Sequence, residues 1–537
     1  MNADEIFKEF KEQSVSEFFR KNSQMLGYSG KVRSLTTAVH EYVTNSLDAC
    51  EEAGVLPDIM VKVTQVDEAK YTVTVRDNGP GIPEKLVGSA LAKVLSGTKF
   101  HRYIQQRGQQ GIGAAGCTLF SRMTTGKPIH VHSGTERQSY TCDVTIEIKT
   151  NKPIVENLEK LSDGFRGLEI TAELGEVKYE KSDHGVYEYI KRTALSNPHI
   201  SITLVEPDGK EAFFPRSYEE IPKRPKQIKP HPLGVQVNDI VDFAHFSVER
   251  TVASFLSETF ARVTRSKVEE LGQLVPGIDL KKRPKDLSWA EAEEIVKAFG
   301  KIKWMAPELD SLSTIGRAQI EATIKNILNP TFVAVVERRP SVFRGGIPFV
   351  VEAGIAYGGD AGKASEEGMH SSVIRFANKV PLLFDGSACA ITEAVNTIQW
   401  RRYGISDFEE QPLSVMVNVS SVYIPYSGVG KQAISHEDEI IGEIRLALMA
   451  CAKDIERYVR GERAKSLQES RYNMIMRYVG QLASDISEIS GKDRGEIEMS
   501  LRRLIDTKYS RLFEANAEQD EAADGSEGSA AEEAQDE

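Results

Sequence analysis

Glu41, Asn45 and Asp48 sit in the run Val39-His-Glu-Tyr-Val-Thr-Asn-Ser-Leu-Asp-Ala-Cys50. At about 100° per residue, that spacing puts an acid, an amide and a second acid on one face of a helix. Leu35, Ala38, Val39, Tyr42, Ser46, Leu47 and Cys50 fall on the other side, giving a packed back and a polar front. Such a front suits a hydrated magnesium ion, which takes few oxygen ligands from protein and the rest from water and phosphate. A plain amphipathic helix with a solvated face has the same pattern, so this helix alone does not decide.

Two glycine-containing runs follow it. Asp77-Asn-Gly-Pro-Gly-Ile-Pro83 places a carboxylate beside the close-approach backbone of Gly79 and Gly81. A carboxylate there can accept from an exocyclic amine such as adenine carries, although the pattern is also that of a turn. Gly97-Thr-Lys99 and Gly108-Gln-Gln-Gly-Ile-Gly-Ala-Ala-Gly116 then lead into an apolar helix. Glycines before a helix start offer backbone amides and a positive dipole end to phosphates. Their order is neither a Walker A loop nor a dinucleotide fingerprint. The elements that must position these groups are the helix itself and two β-branched strands, Ile59-Met-Val-Lys-Val-Thr and Lys70-Tyr-Thr-Val-Thr-Val-Arg76.

Taken together, Glu-x-x-x-Asn-x-x-Asp-Ala, Asp-x-Gly-x-Gly and Gly-x-x-Gly-x-Gly in this order resemble the Bergerat (GHKL) ATP-binding fold. Gyrase, the mismatch-repair MutL proteins, the large heat-shock chaperones and sensor histidine kinases share it. The resemblance implies that Glu41 is the general base for the attacking water, Asn45 the magnesium ligand and Asp77 the adenine reader. It also implies a phosphate lid of Thr98, Lys99, Gly108, Gln109, Gln110, Gly111, Ile112, Gly113, Ala114 and Ala115. Where relatives carry Gly-Thr on a later strand, this chain has Gly167-Leu168, and no role is carried over to it.

The 537 residues are 40% apolar and 27% charged, a globular composition long enough for three or four domains. The net charge of −12 is concentrated in residues 514–537, which hold ten acids and no base. The rest is nearly neutral, and the Ala-, Glu-, Gly- and Ser-rich tail is expected to be disordered. No run of eighteen apolar residues exists, so no membrane span is predicted. Cysteines 50, 117, 142, 389 and 451 are odd in number and scattered without Cys-x-x-Cys, which excludes zinc-finger spacings and suits a reducing, cytoplasmic setting. Basic runs at Pro222–Pro232 and Lys281–Lys285 carry prolines and are read as linkers, for which plain solvation is at least as good an account as nucleic-acid contact.

Beyond residue 233 the pattern turns helical, with Thr251–Val263 and Ser266–Leu271 flanking a break that carries Arg262, Arg265 and Lys267. From Asp310 to about 462, strands are predicted at 332–336, 348–357, 373–384 and 413–419, with long helices near 387–402 and 436–460. Ile424-Pro-Tyr-Ser-Gly-Val-Gly-Lys431 contains Gly-Val-Gly-Lys but fails as a P-loop, because Gln432 follows the lysine.

Ser16-Glu-Phe-Phe19, Lys229-Pro-His-Pro232, Asp310-Ser-Leu-Ser313, Val350-Val-Glu-Ala-Gly-Ile-Ala-Tyr-Gly-Gly359, Arg375-Phe-Ala-Asn-Lys-Val-Pro-Leu382 and Trp400-Arg-Arg-Tyr-Gly404 are similar to the B-subunit family of archaeal DNA topoisomerase VI, over roughly residues 14–460. The resemblance implies an α+β multidomain chain. Its parts would be a GHKL ATPase α/β sandwich with an N-terminal strap (1–228) and a helix-two-turns-helix insert (229–306). A ribosomal-S5-like transducer domain (307–470), a helical C-terminal segment (471–513) and the acidic tail (514–537) would follow. It further implies ATP and Mg2+ as cofactors, Lys431 as the switch lysine that senses the γ-phosphate, and double-stranded DNA as substrate. A cleaving A subunit would complete an A2B2 heterotetramer, and ATP would drive dimerisation in which an N-terminal hook with Phe18 and Phe19 crosses to the partner. No two aspartates lie two residues apart, so the chain lacks the Asp-x-Asp pair that metal-assisted strand cleavage needs. Two other classes share the ATP site: a chaperone or repair clamp without a cleaving partner, and a histidine kinase, for which only His40 stands near the catalytic glutamate.

Overall fold

Helix α1 (Lys31–Ala53) is held from behind. Leu35, Val39, Val43 and Leu47 are fully or almost fully buried, each worth roughly 1.5–3 kcal/mol. The core is thus served by the back of the helix, and Glu41, Asn45 and Asp48 on its front are only partly buried or exposed. The chain is described by a computed structural model at residues 17–18, 21–94, 103–108, 112–365, 368–428 and 430–508. It divides into two compact units, Met1–Ile455 and Glu456–Glu537.

Eight strands form the sheet under α1: β1 (Asp58–Asp67), β2 (Lys70–Asp77), β3 (Ile129–Gly134), β4 (Ser139–Glu147), β5 (Lys152–Leu161), β6 (Gly167–Gly175), β7 (Ser201–Val205) and β8 (Glu211–Phe214). Their order is β5-β4-β3-β6-β2-β1-β7-β8, and only β1 and β7 run parallel. Burial alternates along β1 to β4 as a half-covered sheet requires, while the edge strand β5 is mostly exposed. On β2, Tyr71, Val73, Val75 and Asp77 are buried in phase, while Arg76 is exposed. The period of two thus carries Asp77 onto the helix-covered face with the apolar residues. Helices α2 (Val87–Ala92), α3 (Gly113–Thr125) and α4 (Val186–Ser196) share that core with α1.

A helical insert has its own core. Helices α5 (Val237–Phe246), α6 (Val252–Thr259), α7 (Arg265–Leu274) and α8 (Trp289–Phe299) surround Phe255, Phe260 and Phe299, whose rings meet edge to face. The proline-rich run before it is an extended strap rather than a free linker. Ile228 N–H donates to the Tyr103 carbonyl, Lys226 pairs with Asp310, and Arg224 donates to the Glu52 carbonyl.

The second sheet follows α9 (Arg317–Leu328). It comprises β9 (Phe332–Glu337), β10 (Ser341–Phe343) and β11 (Ile347–Tyr357), a separate ribbon β12 (Lys363–Ser365) and β13 (Gly368–His370), then β14 (Ser372–Ala377), β15 (Val380–Pro381) and β16 (Leu413–Ser421). The order is β10-β11-β16-β14-β15, with β9 also on β11. Two expectations need correction here. The run 373–384 is not one strand: Ala377 pairs with Val380, and Asn378 and Lys379 turn between them with φ of 49° and 67°. Two consecutive left-handed residues make the tight hairpin turn that Asn tolerates. The long helix near 387–402 is also absent. Only α10 (Ala390–Asn396) is α-helical, and the Trp400 indole N–H caps it by donating to the Val395 carbonyl at 3.2 Å.

A helix of 53 residues, α11 (Asp438–Ser490), follows. Its start is buried through Ile440, Ile444, Leu448 and Ile455. Within the second unit, Gly491 ends it with φ of +69°. A helical stretch over 494–508 then folds back so that the Tyr472 hydroxyl donates to Asp506 at 2.7 Å. The acidic tail lies outside the described residues. All five cysteines are free and buried, and no described helix is long and apolar enough to cross a membrane.

Candidate nucleotide site

Two of the three polar residues on the front of α1 stay open. Asn45 is exposed and Glu41 is partly exposed. Asp48 instead accepts from Arg107 Nη1 at 2.9 Å, so the second acid is turned away from the opening. Burial pushes the pKa of the neighbouring His40 down; the Glu41 carboxylate raises it and the Lys431 ammonium lowers it further. An imidazole kept neutral in this way adds no positive charge beside the Glu41 carboxylate.

Asp77 lies at the end of β2, 3% exposed. Ser46 Oγ donates to Asp77 Oδ2 at 2.6 Å, and the amides of Gly79 and Leu168 donate to Oδ1 at 2.9 and 3.2 Å. Burial raises the Asp77 pKa, and these three donors counter it. The bonds fix the carboxyl plane, as a group that reads one edge of a base requires. Gly167 makes the arrangement possible. Its φ is +128°, and a Cβ there would overlap the Asp77 carbonyl, so only glycine brings the Leu168 amide this close.

The start of α3 faces Glu41. Ile112 occupies the N-cap position with no side-chain cap, so the first amides, at Gly113, Ala114 and Ala115, have no intrahelical partner. Gly113 is packed so tightly on Glu41 that a Cβ would overlap the carboxylate. An uncapped helix N-terminus is an anion site of the kind a phosphate fills. Ala115 points its methyl into the core, 3% exposed, and only its amide remains for such a role. Gly79 and Gly81 form the turn after Asp77, and Gly108 borders open space. Thr98, Lys99, Gln109, Gln110 and Gly111 lie outside the described residues, as does Phe19. Phe18 is 42% exposed. Among the described residues, no group of three or more His, Cys, Asp or Glu could hold a metal ion.

The loop of Lys431 comes to this site from the second sheet's domain. Tyr426 bridges Ile434, Ser427 N–H donates to the Ala433 carbonyl, and Lys431 N–H donates to the Gly428 carbonyl at 3.1 Å. Lys431 itself has φ of 51° at the tip of this closed loop. Arg33 of α1 reaches the same domain, pairing with both carboxylate oxygens of Asp385 at 3.3 and 3.2 Å and lying 4.5 Å over the Phe384 ring. The structure therefore brings Glu41, Asn45, Asp77, the start of α3 and the Lys431 loop around α1.

Four residues of the site carry little signal in the sequence: Ser46, Gly167, Arg33 and Arg107. Ser46 falls on the packed back of α1, where one polar residue among apolar ones is the available clue. Arg107 offers none, because its partners are distant in the chain.

Comparison with known proteins shows which families the two domains match. Residues 30–152 match the family model described as histidine kinase-, DNA gyrase B-, and HSP90-like ATPase. Residues 307–471 match the model for the topoisomerase VI B subunit transducer. A Pyrococcus horikoshii protein named as the B subunit of type 2 DNA topoisomerase 6 is 44% identical, over 94% of this chain and 97% of its own. A protein of the same name from Pyrococcus abyssi is 43% identical, over 97% of this chain and 100% of its own. Another, from Methanothermobacter thermautotrophicus, is 43% identical, over 94% and 96%.

Proposed function

The chain belongs to the family of type 2 DNA topoisomerase 6 B subunits, and from that premise we propose how its ATP-hydrolysing site operates the DNA gate. As a member it is the ATP-binding and hydrolysing subunit of a type 2 DNA topoisomerase, working on DNA with an A subunit. The observation that carries the mechanism is Glu41, open on α1 and set against the uncapped start of α3.

In this reading Asp77 accepts from the adenine exocyclic amine, with its plane set by Ser46, Gly79 and Leu168. The amides that open α3, with Thr98, Lys99 and residues 108–112, hold the phosphates. Glu41 orients a water toward the γ-phosphate and takes its proton, a contribution of about 10²–10⁴-fold for a positioned base. Asn45 is the protein ligand to a magnesium ion, and a bound ion would neutralise phosphate charge. Lys431 contacts the γ-phosphate, an interaction that ATP offers and ADP lacks, so its loop and the transducer have a reason to move on hydrolysis.

The wider assembly follows from the same reading. Residues 1–228 are the ATPase domain with its strap, 229–306 the helical insert and 307–470 the transducer. The segment 471–513 carries motion to the A subunit, and 514–537 is the tail. ATP draws two copies together, with the N-terminal segment around Phe18 and Phe19 crossing between them, in an A2B2 complex. The test is relaxation of supercoiled plasmid with and without an A subunit from the same source. Relaxation should need both chains and ATP and disappear in Glu41→Ala. ATP hydrolysis without relaxation in the complete mixture would move the reading to a clamp or chaperone.

A further inference from the structure

Three consecutive residues tie the ATPase domain to the transducer. The Gln105 amide grips the Ser313 backbone on both sides: Nε2 donates to its carbonyl at 2.9 Å, and Oε1 accepts from its N–H at 2.7 Å. The Gln106 carbonyl accepts from Asn378 Nδ2 at 3.0 Å, and Asn378 also holds the end of β16 through both polar groups of the Ser421 backbone. Arg107 turns the other way. Its guanidinium, 6% exposed, donates to Asp48 at 2.9 Å, to both oxygens of Glu51 at 2.8 and 2.6 Å, and to Asn197 at 2.6 Å.

Lys379 closes the hub from the transducer side. It is buried, its Nζ donates to Ser313 Oγ at 2.9 Å, and its carbonyl accepts from Ser196 and Asn197 of the ATPase domain at 2.8 and 3.1 Å. His199 adds a contact to Glu51 at 2.8 Å. Two cations are thus buried where two domains meet, Arg107 against the partly buried Asp48 and Glu51 and Lys379 against the Ser313 hydroxyl. Well-packed apolar residues of similar volume would hold such a junction with no less stability. What hydrogen bonds of fixed direction add is a single permitted placement of one domain against the other.

We infer that Gln105, Arg107 and Lys379 are positioning residues for ATP hydrolysis, forming a coupling route between transducer and nucleotide site separate from Lys431. The transducer holds residues 105–107 through Ser313 and the Asn378–Lys379 turn. Arg107 in turn holds the C-terminal half of α1 at Asp48 and Glu51. Glu41 and Asn45 ride on the same rigid helix, within about two turns of Asp48, so a shift at the hub moves the base and the metal ligand together. This rests on the reading of Glu41 as the base.

The test uses the full chain assembled with its A subunit, in Gln105→Ala, Lys379→Met and the milder Ser313→Ala, which keeps the backbone clasp. ATP hydrolysis should lose roughly ten- to hundredfold in kcat, as expected of a small misplacement remote from the chemistry. KM should change by less than about threefold, since nucleotide binding is not what is removed. Gln105→Ala combined with Lys379→Met should cost little more than either alone, whereas either combined with Lys431→Ala should multiply. Unchanged kcat in Gln105→Ala and Ser313→Ala, with unfolding midpoints equal to the parent's, would overturn the proposal. A loss that falls equally on KM would do the same. If Glu41→Ala keeps full hydrolysis, the premise about the base has failed rather than the hub.

Discussion

The Glu41 carboxylate occupies the space that a Cβ on Gly113 would need. A residue at the start of α3 and a residue in the middle of α1 therefore set each other's position through shape alone. Gly113→Ala should displace the carboxylate and lower kcat for ATP hydrolysis at least about tenfold, within the range of a positioned base. Binding of a non-hydrolysable ATP analogue should persist. Normal hydrolysis by a folded Gly113→Ala protein would rule out Glu41 as the base in this position.

Asp77→Asn keeps the size of the side chain but not its acceptor pair. Ser46 and two backbone amides already donate to this site, so an amide nitrogen here would face donors. Affinity for ATP should fall by about 1.5–3 kcal/mol, or roughly ten- to hundredfold, the worth of a hydrogen bond to a charged group. Calorimetric titration with an ATP analogue measures this directly.

The sign of the pH effect at Asp77 follows from its raised pKa. Between the ordinary carboxylate value and the raised one, the folded chain holds a proton that the unfolded chain has lost. Lowering pH through that window favours the fold at this site but removes the acceptor. Nucleotide affinity should therefore weaken, as pH falls, earlier than an ordinary carboxylate would dictate, and in Asp77→Asn this component should vanish.

Lys379 makes the opposite kind of prediction. Burial lowers its pKa to about 8, from the ordinary lysine value of 10.5. Below pH 8 the folded protein carries a buried charge at a cost of about 3 kcal/mol, which is relieved as pH rises toward 10.5. Lys379→Met should accordingly unfold at a higher temperature than the parent near neutral pH, with the advantage shrinking as the pH approaches that of a free lysine. The same substitution should slow hydrolysis, so its stability and its activity change in opposite directions.

Lys431→Ala provides a local report as well as a functional one. Lys431 lowers the His40 pKa, after burial and against the pull of Glu41. Its removal should move the His40 titration to higher pH in a proton NMR experiment. DNA relaxation per ATP should fall while ATP still binds. A His40 titration that does not move would separate Lys431 from the site in the nucleotide-free chain.

The parts of the site legible in the sequence are those whose signal is local. Helical spacing places Glu41 and Asn45 together, and the strand before Asp77 carries it in phase with Val73 and Val75. Gly167 gains no role from its sequence because its neighbour is Leu168, yet the neighbour's amide is what the site uses. The Asn378–Lys379 turn is hidden inside an apolar run, since nothing but two left-handed φ angles marks it. Helical spacing also puts Asp48 on the open front, and there it misleads. Its true partner, Arg107, stands 59 residues away, and pairings at that range leave no periodic trace.

The five buried cysteines have a practical consequence. Burial pushes the Cys50 and Cys451 thiols up to about 12 and that of Cys142 to about 11, with neighbouring acids adding to the shift. Thiolates are the reactive form, so maleimide dyes at neutral pH should leave the native thiols of the folded protein largely untouched. A single cysteine introduced at an exposed position such as Val248, which is 93% exposed, becomes the site of labelling without stripping the natural ones. Donor- and acceptor-labelled copies mixed in equal amounts would then test the proposed ATP-driven pairing of two subunits, which predicts energy transfer on adding ATP and would make the gate visible in real time.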